Sequence, residues 1–100
     1  MGGALGSRTG LAIAPSTRPA RVPVAIVWQV GAAPSGSAGT LALYDLGGRC
    51  LVRTRLGDEP GGVWTWDGRD AQGRTVPAGM YFARLDSGSR HVETRVVLLR

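Results

Sequence analysis

The chain is poor in the side chains that most enzymes use. Among its 100 residues it has no lysine, one cysteine and one histidine. The single cysteine, Cys50, excludes a disulfide within the chain. With no histidine nearby in sequence, we expect Cys50 to be a small buried or half-buried strand residue rather than a reactive thiol. His91 is accompanied by neither a Gly-x-Ser-x-Gly nor a His-Glu-x-x-His motif, so we expect an exposed strand residue beside a hairpin. The sequence therefore predicts no catalytic residue, and the protein is not expected to be an enzyme.

Long apolar runs are also missing. No run approaches the ~18–20 residues of a transmembrane helix, so no membrane span is predicted. The first fifteen residues lack a dense apolar stretch, so we predict no signal peptide in this chain. If the protein is exported, the export signal belongs to a larger parent protein or is this domain itself.

All the basic charge comes from arginine. Twelve arginines give a formal net charge of +5. They form no run of like charge, and nucleic-acid-binding proteins usually cluster basic residues along one face. We therefore predict a solvated surface rather than a nucleic-acid site.

Glycine and proline indicate a chain rich in turns. Sixteen glycines and six prolines, with 19% charged residues, are typical of an all-β domain and not of a helical bundle. The length predicts one domain. We assign residues 1–10 to a flexible lead-in or linker and residues 11–100 to the domain.

Short segments with period-two alternation predict seven strands separated by turn signals, and no segment has a helical period. The strands are predicted at residues 11–14, 24–30, 41–45, 49–56, 64–66, 80–86 and 90–100. Residues 16–23 and 31–39 read as loops because of their prolines, glycines and serines. Seven short strands predict a two-sheet sandwich of the immunoglobulin or fibronectin III type.

The apolar positions of these strands predict the core. Its members are Val24, Ile26, Trp28, Leu41, Leu43, Val52, Leu56, Trp64, Trp66, Tyr81, Leu85, Val96 and Leu98.

The stretch from Trp64 to Leu85 reads as strand, structured turn, strand. Within it, Asp67 and Asp70 could act as metal ligands or as acceptors for backbone N–H groups. A calcium loop needs oxygen ligands at its positions 3, 5 and 12, where this stretch has Arg69, Ala71 and Ala78. We therefore predict a structural turn, with no metal and no cofactor.

This stretch carries a family resemblance. The pattern W-D-G-R-D-x-x-G-R-x-V-x-x-G-x-Y-x-x-R-L over residues 66–85 resembles the C-terminal immunoglobulin-like domains of the flagellar hook-capping (FlgD) type. It equally resembles the type A sorting domains of type IX secretion substrates. Two further segments agree, L-Y-D-L-G-G-R at 43–49 and E-T-R-V-V-L-L-R at 93–100. Relative to the family's G-R-x-V-R-x-L, segment 49–56 is about one residue longer, which implies a β-bulge at Cys50. The residues that carry the motif, in a structural role, are Tyr44, Asp45, Gly48, Arg49, Trp66, Asp67, Gly68, Asp70, Gly73, Gly79, Tyr81 and Leu85.

The resemblance implies a non-catalytic C-terminal module of a secreted or cell-surface protein. It would serve as a sorting signal or a structural interaction domain, with secretion machinery or neighbouring domains as partners, and would be monomeric when isolated. The chain departs from the family at two points. Pro15-Ser16-Thr17-Arg18-Pro19 replaces the family's Asn-Pro, and no hook-capping region precedes the domain, which disfavours the flagellar role.

A different class of function stays open at this point, a carbohydrate-binding accessory module of a secreted hydrolase. Such modules stack sugars on exposed aromatic rings. Trp28, Trp64 and Trp66 all fall on predicted core faces, which disfavours this alternative. Phe82 and Met80 lie on the opposite face of their strand and are the better candidates for contact with another domain.

Overall fold

The computed structural model describes residues 6–8, 11–31, 39–57 and 59–100. These residues form nine strands and no helix. The strands are β1 (Gly6–Arg8), β2 (Leu11–Pro15), β3 (Ala20–Arg21), β4 (Val24–Gln29), β5 (Gly39–Tyr44), β6 (Cys50–Leu56), β7 (Gly61–Trp66), β8 (Gly79–Ser87) and β9 (Arg90–Leu99). The all-β prediction is confirmed, and the described part of the chain has no helix that could cross a membrane.

The strands form two sheets. The four-stranded sheet has the order β1-β2-β4-β7, and the five-stranded sheet has the order β3-β9-β8-β5-β6. Neighbouring strands are antiparallel except β3 and β9, which run parallel. The chain passes from one sheet to the other several times, so residues distant in sequence meet in the core between the sheets.

Alternating burial explains how each sheet contributes to the core. In β4 the side chains of Val24, Ile26 and Trp28 are buried while Val27 and Gln29 are exposed. In β8 the same alternation buries Tyr81 and Leu85. One apolar cluster unites both sheets and gives a β-sandwich-like arrangement.

The predicted core differs from the observed one at its margins. Val52, Leu56 and Trp64 are only partly buried against the cluster, because β6 and β7 each have a neighbouring strand on one side only. The prediction omitted several buried apolar residues: Leu11, Ile13, Ala20, Val30, Leu51, Val76, Ala83 and Val92.

The β-bulge lies in the strand where the sequence predicts it. Leu43 is opposite Val52 and Tyr44 is opposite Cys50, so Leu51 is the additional residue of β6. Leu51 is buried, whereas Cys50 is exposed, so the expectation that Cys50 is buried or half-buried was wrong. The bulge thus turns an extra apolar side chain into the core.

The count of seven strands was too low. Gly6–Arg8, within the predicted lead-in, pairs with β2, and Ala20–Arg21, within the predicted loop 16–23, pairs with the end of β9. Pro19 and Pro23 flank β3 and restrict it to two residues, because proline has no N–H for the ladder. Most of the predicted loop 31–39, and Asp58 in the turn before β7, lie outside the described residues.

Candidate functional site

The connection between β7 and β8 is anchored to the core by Trp66. This residue is 1% exposed, and its indole N–H donates to the backbone carbonyl of Arg69 over 2.9 Å. Its ring meets that of Tyr81 edge to face, with centroids 5.6 Å apart. The Tyr81 hydroxyl in turn donates to the carbonyl of Pro77. Two core aromatics therefore hold the two ends of one loop.

Asp70 organises the middle of this connection. Its Oδ1 accepts the backbone N–H of Gln72 at 3.0 Å and of Arg74 at 2.9 Å, and its Oδ2 accepts Arg74 Nε at 3.1 Å. These donors favour the ionised carboxylate, with the backbone N–H of Arg74 as the largest cause, and lower the pKa of Asp70. The Asp70 carboxylate therefore stabilises the turn formed by residues 70–74.

Asp67 and Asp45 shape two other turns in a similar way. Asp67 Oδ1 accepts the N–H of Arg69 at 3.0 Å, and Asp45 Oδ1 accepts the N–H of Arg49 at 2.9 Å. Gly48 closes the Asp45 turn with a φ of 88°, a value that favours glycine. Within the described residues, no group of three or more acidic, histidine or cysteine side chains is placed to hold a metal ion.

The structure brings the two turn regions of the motif together. The backbone N–H of Ala71 donates to the carbonyl of Leu51 at 2.9 Å, which ties the β7–β8 connection to β6. Arg49 from the β5–β6 turn and Asp70 from the connection line the same small cavity of about 80 Å³. Its volume lies well below the about 300–1,000 Å³ of typical ligand pockets.

Arg100 closes this end of the molecule. Its guanidinium donates to the backbone carbonyl of Gly68 at 2.8 Å and, through Nε, to that of Val76 at 3.0 Å. The residue after β9 is thereby bonded to both sides of the β7–β8 connection. Arg100 was not among the residues predicted from the sequence, because the sequence does not show which backbone carbonyls an arginine side chain contacts in the folded chain.

The remaining motif residues lie in the β7–β8 connection and in strands β5 and β8. Gly73 and Gly79 have positive φ values of 82° and 150°. Leu85 is fully buried in β8. Tyr44, at the end of β5, accepts a hydrogen bond from Arg53 at its hydroxyl. The pKa of the Tyr81 phenol is raised, chiefly by burial.

The three indoles do not form an exposed row. Trp28 and Trp66 are buried, and Trp64 is half-buried against the core. Sugar-binding platforms need exposed ring faces, so the carbohydrate-binding alternative has no structural support from these residues.

Comparison with known proteins gives one informative similarity. No known protein family matches the chain, and no curated protein matches it. Among solved structures, the chain is similar to part of PorZ of Porphyromonas gingivalis, described as an essential bacterial surface component of the type IX secretion system. The TM-score is 0.62 at 20% sequence identity, and the match covers 88% of this chain but 11% of that chain. The similarity shows a shared fold and gives no support to the flagellar side of the resemblance.

Proposed function

We propose that this chain is a non-catalytic immunoglobulin-like module of an exported or cell-surface protein, which acts as a sorting or secretion signal. The observation that carries the proposal is the shared fold with part of a type IX secretion component. The motif at residues 66–85, which resembles the type A sorting domains, adds support from an independent source.

The strand order favours the immunoglobulin-like assignment. In that fold the third, sixth and seventh strands of the sandwich lie together in one sheet. Here β5, β8 and β9 lie together in the five-stranded sheet, and β2, β4 and β7 lie in the other. The fourth strand, β6, departs from the seven-stranded arrangement because it pairs with β5 rather than joining β7. The short strands β1 and β3 are additions at sheet edges, which accounts for nine strands rather than seven.

The terminal strand is the element that we propose a secretion partner recognises. On the side away from β8, β9 pairs in the described residues only with β3, opposite Leu98 and Leu99. We propose that recognition uses a sheet edge together with this strand, and that main-chain hydrogen bonds to a partner strand supply the affinity. Arg18 crosses this edge and donates to the carbonyl of Arg95 at 3.2 Å.

An export assay tests this function. The full chain is fused to the C-terminus of a folded periplasmic reporter and expressed in a bacterium with a type IX system. We expect the reporter outside the cell, and we expect it to stay in the periplasm of a matched strain that lacks the secretion pore. A folded fusion retained in the periplasm of the intact host would contradict the proposal.

A further inference from the structure

Arginines that are dispersed in the sequence meet on one face of the fold. The outward positions of the five-stranded sheet form rows across β6, β5, β8 and β9: Arg55–Thr40–Asp86–His91, Arg53–Ala42–Arg84–Glu93 and Cys50–Tyr44–Phe82–Arg95. Met80 and Val97 form a further row between β8 and β9. We call this surface, made by the outward residues of these four rows, the arginine face.

The outer surface of the other sheet is entirely different. Its outward residues in β2, β4 and β7 form the rows Ala12–Gln29–Gly61 and Ala14–Val27–Val63 and the pair Ala25–Thr65. None of these residues carries a charge. Among the outward positions of these seven strands, the charged side chains therefore all lie on the arginine face, where four arginines accompany two carboxylates.

The acidic residues on the arginine face are already engaged. Arg84 Nε lies 3.0 Å from Asp86 Oδ2, and Arg84 Nη1 lies 3.7 Å from Glu93 Oε2. No carboxylate of the described residues forms an ion pair with Arg53, Arg55 or Arg95. These three guanidiniums are therefore placed to meet carboxylates supplied by a partner.

Apolar side chains lie between the arginines. Tyr44 and Phe82 are neighbours on adjacent strands and are half-buried, while Met80 and Leu46 are exposed at 36% and 67%. An open hollow of about 350 Å³ beside this face is lined by Tyr44, Asp45, Leu46, Gly48, Phe82, Arg84 and Glu93. The hollow therefore combines aromatic and apolar side chains with one arginine and two carboxylates, while Arg53, Arg55 and Arg95 lie outside its lining.

This combination of side chains indicates the class of partner. Arginine, aromatic residues and methionine are enriched in protein–protein interfaces, and lysine is depleted. A polyphosphate or a sulfated polysaccharide would pair with the guanidiniums but would leave Leu46, Met80 and Val97 without apolar contacts. We propose that the arginine face binds an acidic protein surface that carries aromatic or apolar side chains among its carboxylates.

The test uses the purified full chain and four defined probes at one ionic strength. The probes are a random copolymer of glutamate and tyrosine, polyglutamate, heparin and oligo(dT), and affinity is measured by isothermal titration calorimetry. We expect the glutamate–tyrosine copolymer to bind most tightly. Tighter binding of heparin or oligo(dT) would overturn the proposal in favour of a general polyanion site.

Matched variants locate the binding. Arg55→Gln with Arg95→Gln removes two charges from the face, and Arg69→Gln with Arg74→Gln removes two from the β7–β8 connection. We expect the first pair to weaken copolymer binding about tenfold, or ~1.4 kcal/mol, and the second much less. If both double variants weakened copolymer binding equally, the affinity would depend only on the net charge of the protein, and the proposal would be overturned.

A third variant tests the apolar part of the face. Met80→Gln leaves the charge unchanged, and we expect it to weaken binding of the glutamate–tyrosine copolymer but not of polyglutamate. An unchanged affinity for the copolymer would contradict the apolar contribution. Because binding is measured with purified protein, its failure is distinct from a failure of export in cells.

Discussion

At the scale of single residues, the aspartates of the motif illustrate why short polar side chains recur in turns. Each offers oxygen acceptors at the distance of backbone N–H groups two to four residues ahead. Asp70 satisfies two such groups and an arginine, whereas Asp67 satisfies one. Asp70 is therefore expected to contribute more to the stability of the folded protein than Asp67.

We predict that Asp70→Ala lowers the melting temperature clearly more than Asp67→Ala. The Asp70 side chain is 6% exposed, so its removal leaves N–H groups unpaired where water has little access. Asp67 is exposed, and its loss should cost about 0.5–1.5 kcal/mol, the range for one hydrogen bond. Thermal unfolding followed by circular dichroism compares them, and equal shifts would contradict the assignment.

The pH dependence of the unfolding free energy, compared between the wild type and Asp70→Asn, tests whether the ionised Asp70 carboxylate is what stabilises the turn. Because hydrogen bonds lower the pKa of Asp70 in the folded state, its ionised form contributes stability that is fully present above its ordinary pKa of 3.8. That contribution is lost as the pH falls through the lowered value. The difference in unfolding free energy between the wild type and Asp70→Asn should therefore be constant near neutrality and shrink below 3.8. A difference that grows on acidification would contradict the account.

At the scale of elements, the end of β9 and the β7–β8 connection behave as one unit. Gly68 lies where Val22 and Arg100 converge, and a Cβ there would come within 2.6 Å of Val22 Cγ1 and 2.9 Å of Arg100 Nη2. Gly73, in the same connection, has a similar positive φ but no atom within 4 Å of such a Cβ. An alanine at either position would have a strained backbone, but only an alanine at Gly68 would also overlap with neighbouring side chains.

We predict that Gly68→Ala destabilises the protein more than Gly73→Ala. Both substitutions place alanine in the left-handed region, at a cost of about 1–2 kcal/mol. Gly68→Ala adds overpacking, typically about 1–3 kcal/mol. Urea denaturation measures both, and Gly73→Ala is the matched control. Indistinguishable unfolding free energies would show that Arg100 and Val22 do not pack against this turn.

Element-scale features also show how far the sequence predicts this fold. Alternation in β4, β8 and β9 predicts their inward faces because one face of each strand packs on the core while the other faces outward. The strand β3 could not be predicted, since it forms only by pairing with β9, about eighty residues away. The burial of Leu51 likewise depends on a bulge whose position is fixed by β5.

At the scale of the whole molecule, sheet order decides which surface each residue joins. Arg53, Arg84 and Arg95 are far apart in the sequence, and their spacing indicated a dispersed charge. The register across β6, β5, β8 and β9 places them on one face. Local pattern predicts whether a residue points inward or outward, but pairing between distant strands determines its neighbours, so this face was not predictable from the sequence.

The central claim is that the indoles hold the two sheets together, leaving recognition to the outer surfaces. Acrylamide quenching of tryptophan fluorescence in Trp64→Phe, which retains Trp28 and Trp66, tests it most directly. The account predicts weak quenching and an emission spectrum that soluble polysaccharides leave unchanged. Quenching as strong as that of free tryptophan, or a spectral shift with polysaccharide, would contradict it.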